Sequence, residues 1–268
     1  MANTEHTDQL GRKLTLKAPP TRIISCVPST TELLYDLGLT KEVIGITKFC
    51  VHPHKWQQVK TRVGGTKNLH LEQIAALHPD LIICDKEENK QEQVEQLMPH
   101  YNVWVGNANS LEQGLKLIGL LGKLTSRTKQ AAEISNKITA GFEQLEKAGG
   151  NGTIRKAAYL IWREPMMVAG EGTFIDNMME RCGLENTFSH GNNGYPEVSA
   201  KMLQKANPEL ILLSSEPFPF AMKHIPEIQE LVPNAKVLLV DGEMFSWPGS
   251  RMEKAAEYFL QLLKAAQI

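Results

Sequence analysis

One phrase occurs twice in this chain. Residues 71–85 read LEQIAALHPDLIICD, and residues 200–214 read AKMLQKANPELILLS. Pro79 stands opposite Pro208 and Asp80 opposite Glu209, and an unbroken apolar run follows each pair. Each copy reads as a short helix, a Pro-acid turn and a strand apolar on both faces, the kind found inside parallel sheets. Two copies so far apart in 268 residues predict two similar α/β lobes of roughly 120 residues each. Two lobes make a cleft, and clefts of that kind hold ligands.

Composition narrows the class. Apolar residues make up 42% and charged residues 22%, as in an ordinary globular protein. The net charge of -1 lacks the electrostatic footprint of a nucleic-acid binder. No apolar run approaches the ~18 residues of a membrane span. The N-terminus, MANTEHTDQL, has neither a basic segment nor an apolar one, so as written the chain reads as cytoplasmic, although a form trimmed of a leader would look the same. Cys26, Cys50, Cys84 and Cys182 are widely spaced and form neither a CxxC pair nor a zinc pattern, which reads as reduced, structural thiols.

Strand and helix signals alternate from the start. Residues 22–27 read as a first strand. A helix follows Pro28, with Ser29 or Thr30 as its N-cap and Gly38 as its stop. Strands are predicted at 42–46, 80–84 and 102–105, and helices at 71–77, 91–97 and 111–121. From Ser126 to Lys147 there is no strand signal. Ala131, Ile134, Ile138, Phe142 and Leu145 instead mark one face of a helix ~33 Å long, broken at residues 149–152 by GGNG. A second series follows, with strands at 156–162, 209–213 and 236–240, helices at 174–181 and 203–206, and a last helix at 251–263. Residues 31–39 and 175–184 both end a helix in Gly-Leu, a further echo between the halves. The predicted fold is α/β, with two Rossmann-like lobes at 10–123 and 153–268 and a bridging helix with its breaker at 124–152.

Arg22-Ile-Ile-Ser, Pro28-Ser-Thr-Thr-Glu32, Leu71-Glu72 followed by Pro79-Asp80-Leu-Ile, and the long mid-chain helix together resemble the helical-backbone substrate-binding proteins of ABC importers. These are receptors for cobalamin, ferric siderophores, haem and transition metals. The likeness covers about residues 10 to 265 and is nearest the cobalamin and iron-complex branch. It implies a non-enzymatic, monomeric receptor that holds a corrinoid, haem or siderophore complex between two lobes, with an ABC permease as partner and no cofactor of its own. It also implies that Glu72 docks on the permease. Lys201 occupies the repeat-equivalent place in the second lobe, so symmetric docking is expected to be weak.

Candidate ligand-binding residues cluster in the loops after strands, where open parallel sheets bind ligands. Phe49, Cys50, His52 and His54 follow the second strand. They read either as lining of an organic or metal-complex pocket, or as metal ligands, since Cys and His suit zinc, copper and iron. The resemblance places His52 near a ligand-contacting aromatic. Gly64-Gly65-Thr66-Lys67 reads as a small anion nest, and the resemblance puts Thr66 where cobalamin receptors carry an aromatic. Glu87, Glu88 and Asn89 follow the third strand, as crevice edge or as a solvated turn. In the second lobe Trp162 offers a flat wall and Arg163 a fork for carboxylate. Tyr195 matches an aromatic-Pro pair of the cobalamin receptors. Glu216, Phe218 and Phe220 follow the repeated strand, the two Phe reading as a rigid aromatic rim. Phe245 and Trp247 follow the last strand, with Arg251 either at the pocket or on a helix face. So many aromatics at strand ends suit a large, flat ligand. The alternative is a metal-dependent enzyme or free metal-ion binder using Cys50, His52, His54 and nearby carboxylates. No GxSxG, HExxH, Walker or GxGxxG motif is present.

Overall fold

The computed structural model of the protein describes residues 3–149, 155–191 and 193–266. They fall into two compact units. Of the described residues, the first comprises 3–108, 112–137 and 248–251, and the second 109–111, 138–149, 155–191, 193–247 and 252–266.

The first unit opens with a hairpin, β1 (Thr4–Thr7) and β2 (Lys13–Leu16), which the sequence reading did not contain. Asp8 organises its turn by accepting from the backbone N–H of Leu10 and Arg12 and pairing with the Arg12 guanidinium at 2.6 Å. Then come β3 (Ile23–Ser25), α1 (Pro28–Asp36), β4 (Val43–Ile46), α2 (His54–Val59), β5 (Thr61–Arg62), β6 (Gly64–Gly65), β7 (Asn68–Leu69), α3 (Leu71–Ala76), β8 (Leu81–Asp85), α4 (Gln91–Leu97), β9 (Val103–Gly106) and α5 (Leu111–Leu124). The main sheet has the order β5-β4-β3-β8-β9, all parallel. β3, β8 and β9 are buried on both faces, which is why they read as continuous apolar runs rather than alternating ones. α1 has no Ser or Thr cap. Its N-cap is Val27 with Pro28 at the first helical position, and Thr31 donates its hydroxyl to the Val27 carbonyl at 2.8 Å.

α6 (Thr128–Gly149) contributes residues up to Lys137 to the first unit and the rest to the second. The predicted stripe, Ala131, Ile134, Ile138, Phe142 and Leu145, is buried throughout. Beyond Gly149, the breaker lies outside the described residues.

The second unit continues with β10 (Arg155–Trp162), β11 (Met167–Val168), α7 (Phe174–Arg181), β12 (Leu184–Asn186), α8 (Ala200–Ala206), β13 (Leu210–Ser214), α9 (Ile225–Leu231), β14 (Lys236–Val240), α10 (Gly242–Ser246) and α11 (Met252–Ala266). β12, β10, β13 and β14 are parallel in that order, and β11 adds an antiparallel edge to β10. This repeats β4-β3-β8-β9 of the first unit.

The sequence repeat is reproduced at the level of single residues. His78 and Asn207, each just before the repeated proline, both take the left-handed conformation at φ 45, a region where His and Asn are enriched. The acid after the proline ties the turn to the start of the central strand. Asp80 accepts from Thr21 N at 2.7 Å and Arg22 N at 3.0 Å. Glu209 accepts from Lys156 N at 3.2 Å and pairs with Arg155 at 2.8 Å. The first helix of each series stops at a glycine with positive φ, Gly38 at 82 and Gly183 at 73.

Candidate functional site

In each sheet the chain steps outward from the central strand and then returns to its other side. Loops leaving the carboxyl ends there diverge and open a crevice. In the first unit that point lies between β3 and β8. Asn89, in the turn after β8, fastens it. Its side chain is buried, donates to the carbonyls of Thr66 (2.9 Å) and Cys26 (3.3 Å), and accepts from Asp85 N at 2.9 Å. Asn89 is therefore an internal strut rather than a ligand contact, because its amide is already engaged with backbone. Thr66 is buried beneath it. Asp85 Oδ1 accepts from Glu87 N (2.8 Å) and Glu88 N (3.2 Å), shaping the same turn. Desolvation of its carboxyl, reinforced by the charge of Glu88, outweighs those bonds and pushes its pKa up to about 7. Glu87 and Glu88 stay open to solvent at the tip. Even so, crowding around the Glu88 carboxyl raises its pKa, against the pull of Lys67.

Phe49, after β4, is 51% exposed, and the Lys48 ammonium lies 4.9 Å from its ring centre. Beside it is a cavity of about 380 Å³ lined by Lys48, Phe49, Arg62, Gly64, Gly65, Lys67, Asn68, His70 and Gln73. Its floor needs glycine. Gly64 sits at φ +101, where a Cβ would come within 2.4 Å of the Asn68 carbonyl oxygen. A Cβ on Gly65 would lie 3.1 Å from the Phe49 ring. Lys67 donates to the Glu87 carbonyl across the crevice.

The metal-ligand reading of residues 50–54 fails in this arrangement. Cys50 is fully buried, with its thiol on the hydroxyls of Thr31 and Thr47, both at 3.1 Å, and burial raises its pKa. His54 begins α2 and pairs its Nδ1 with Gln58. Among the described residues, no group of three or more His, Cys, Asp or Glu side chains could hold a metal ion. His52 is half-buried in the same loop.

In the second unit the matching point lies between β10 and β13. Trp162 ends β10 at 37% exposed, with its Nε1 on the Glu164 carbonyl and its ring edge-on to Phe218 at 5.7 Å. The two Phe expected as a rigid rim pack against each other, with ring centres 4.7 Å apart. Phe218 is partly buried, whereas Phe220 belongs to the core with Leu160, Leu213 and Ile228. The Arg163 fork is occupied by the protein's own Glu227, through Nε at 3.3 Å and Nη2 at 3.0 Å. Glu216 accepts from Trp247 Nε1 and Ser246 Oγ, both at 2.7 Å. Trp247 is thereby buried and acts as a support for that carboxylate rather than as an open wall. Tyr195 is half-buried in the loop preceding α8.

Two further expectations are corrected. Phe245 is fully buried inside α10, 5.0 Å from Tyr159 and 4.6 Å from Phe259, because the helix turns it into the core. Arg251 does not lie on a solvent face. It is buried just before α11 and pairs with the equally buried Glu32 of α1 at 2.8 Å.

Sequence reasoning missed Lys48, Arg62, Asn68, His70 and Gln73. A signal was present: no Asp or Glu occurs between Glu42 and Glu72, while Lys48, Lys55, Lys60, Arg62 and Lys67 all do. The stretch is uniformly basic in a chain that is nearly neutral overall.

Comparison with known proteins bears on the family and the fold. The chain is 26% identical over 249 residues to a vitamin B12-binding protein of Photorhabdus laumondii, covering 92% of this chain and 90% of that one. Its fold matches the periplasmic vitamin B12 binding protein BtuF of Vibrio cholerae with a TM-score of 0.80 at 21% identity, covering 93% and 98% of the two chains. It also matches the periplasmic heme-binding protein RhuT from Roseiflexus sp. RS-1 with a TM-score of 0.80 at 19% identity, covering 92% and 99%. Among the described residues no helix is long and apolar enough to cross a membrane. The relatives described as periplasmic lend no support to the cytoplasmic reading of the N-terminus. The family model for periplasmic binding proteins matches residues 23–236, and the chain belongs to that family.

Proposed function

We propose that this protein is the receptor of an ABC importer and binds a metal complex of the corrinoid, haem or iron–siderophore type. By family it is a binding protein and not an enzyme. The observation that carries the ligand class is the placement of open aromatic surface. Phe49 at 51% and Trp162 at 37% exposed stand at carboxyl ends of strands, one in each unit, whereas most other aromatics are packed away. Exposed rings at such positions suit a large flat ligand better than a hydrated ion. The names of the relatives, which bind vitamin B12 and heme, support the same class. Glu72, exposed in the first turn of α3, is the proposed docking acid for the permease. Lys201, exposed in α8, weakens the equivalent contact of the second unit.

The test is a spectral and fluorescence titration of the purified protein with cyanocobalamin, haem, ferrichrome and ferric citrate. One of them is expected to bind with a sub-micromolar Kd, and Trp162→Ala to weaken it about tenfold, since burying a large side chain contributes roughly 1.5–3 kcal/mol. Failure of all four to bind would overturn the reading.

A further inference from the structure

We propose that the cavity beside Phe49 is an anion-holding subsite, and that the ligand is a metal chelate bearing carboxylates at its edge. This deepens the receptor reading above and rests on it. The lining contains three permanent cations, Lys48, Arg62 and Lys67, together with His70, and no carboxylate. None of the three cations is neutralised by an acid within the lining. Lys48 rests over the Phe49 ring, Arg62 reaches the Gln57 carbonyl at 3.4 Å, and Lys67 donates to the Glu87 carbonyl. His70 pairs with the neutral Gln73 amide. Glu88 feels the charge of Lys67 but stands on the turn after β8, outside the lining.

Three like charges around one concavity repel each other, and an anion relieves that repulsion. The concavity is built into the backbone rather than left between mobile side chains. Gly64 and Gly65 form its floor, where a Cβ would strike the Asn68 carbonyl or crowd the Phe49 ring and the Lys48 stem. At about 380 Å³ it has room for a charged substituent and its hydration. Phe49 beside it is 51% exposed, so the part of its ring that Lys48 does not cover is open to the body of the same ligand. Flat apolar surface next to a cationic cup matches a macrocycle or chelate whose acids project from one edge.

The experiment compares matched pairs that differ in charge: haem against its dimethyl ester, and ferric citrate against the neutral hydroxamate complex ferrichrome, with cyanocobalamin as a net-neutral reference. Affinities are read by tryptophan quenching at low and high salt, for the native chain and for Lys48→Met/Arg62→Met and Lys67→Met. Circular dichroism confirms that each variant is folded. The charged member of a pair is expected to bind at least tenfold more tightly than its neutral counterpart and to weaken with added salt, as charge-assisted bonds do. The double variant should erase that preference while leaving the neutral member's affinity within about threefold, because it loses charge and keeps apolar reach. Equal binding of charged and neutral members, or a preference that survives in both variants, would overturn the inference and leave the receptor reading standing. Tightest binding of cyanocobalamin, unaffected by the variants, would do the same. Binding of none of the chelates would overturn both.

Discussion

Asp85→Asn should stabilise this protein at neutral and alkaline pH and flatten its pH dependence. The carboxyl is held in the turn after β8, and desolvation lifts its pKa from 3.8 to about 7. The folded state therefore keeps this proton over a range in which the unfolded chain has released it. Stability is unpenalised below about pH 4, falls as pH rises towards 7, and is level above that, the reverse of a salt-bridged aspartate. Integrated over the interval, the penalty is roughly 4 kcal/mol, and between pH 5 and 7 it is about 2–3 kcal/mol. Asparagine retains an Oδ1 acceptor for the N–H groups of Glu87 and Glu88, so the turn keeps its geometry without the charge. Urea unfolding of both proteins at pH 5, 6, 7 and 8 measures the difference directly. Glu88 titrates in both proteins and cancels to first order. The variant should gain on the native chain by about 2–3 kcal/mol between pH 5 and 7. A native-minus-variant difference that stays constant across that range would refute the argument.

Two other substitutions separate residues that hold the fold from residues that meet the ligand. Phe245→Ala removes a ring packed between Tyr159 and Phe259 and should cost about 3–5 kcal/mol by thermal or chemical unfolding. Its ligand affinity per folded molecule should not change, and loss of binding at undiminished stability would return Phe245 to the ligand surface. Arg251→Met leaves Glu32 buried without its guanidinium and should destabilise by about 3–5 kcal/mol, most of which Glu32→Met/Arg251→Met recovers. A single variant as stable as the native chain would show that the pair does not bear on folding.

The residues that were legible in the sequence are those whose signal is local. Apolar runs, helical periodicity and the Gly and Pro punctuation placed β8, α4, β14, α7 and the buried stripe of α6 within a residue or two. The repeated Pro-acid phrase went further, because the same turn chemistry recurs at His78 and Asn207 and at Asp80 and Glu209. What sequence could not show is which polar and aromatic side chains the fold engages for itself. Arg251 meets Glu32 across 219 positions of chain, and Asn89 reaches Cys26 across 63. Trp247 and Glu216 satisfy each other, and Arg163 satisfies Glu227. A loop position after a strand looks alike whether its side chain faces solvent or turns inward. The deciding quantity is the cost of burying a polar group without a partner, and the partner arrives only when distant segments pack. The same holds for the cationic cavity. The basic stretch is written along residues 48–67, but only the parallel sheet and the Gly64–Gly65 floor bring Lys48, Arg62, Lys67 and His70 around one concavity.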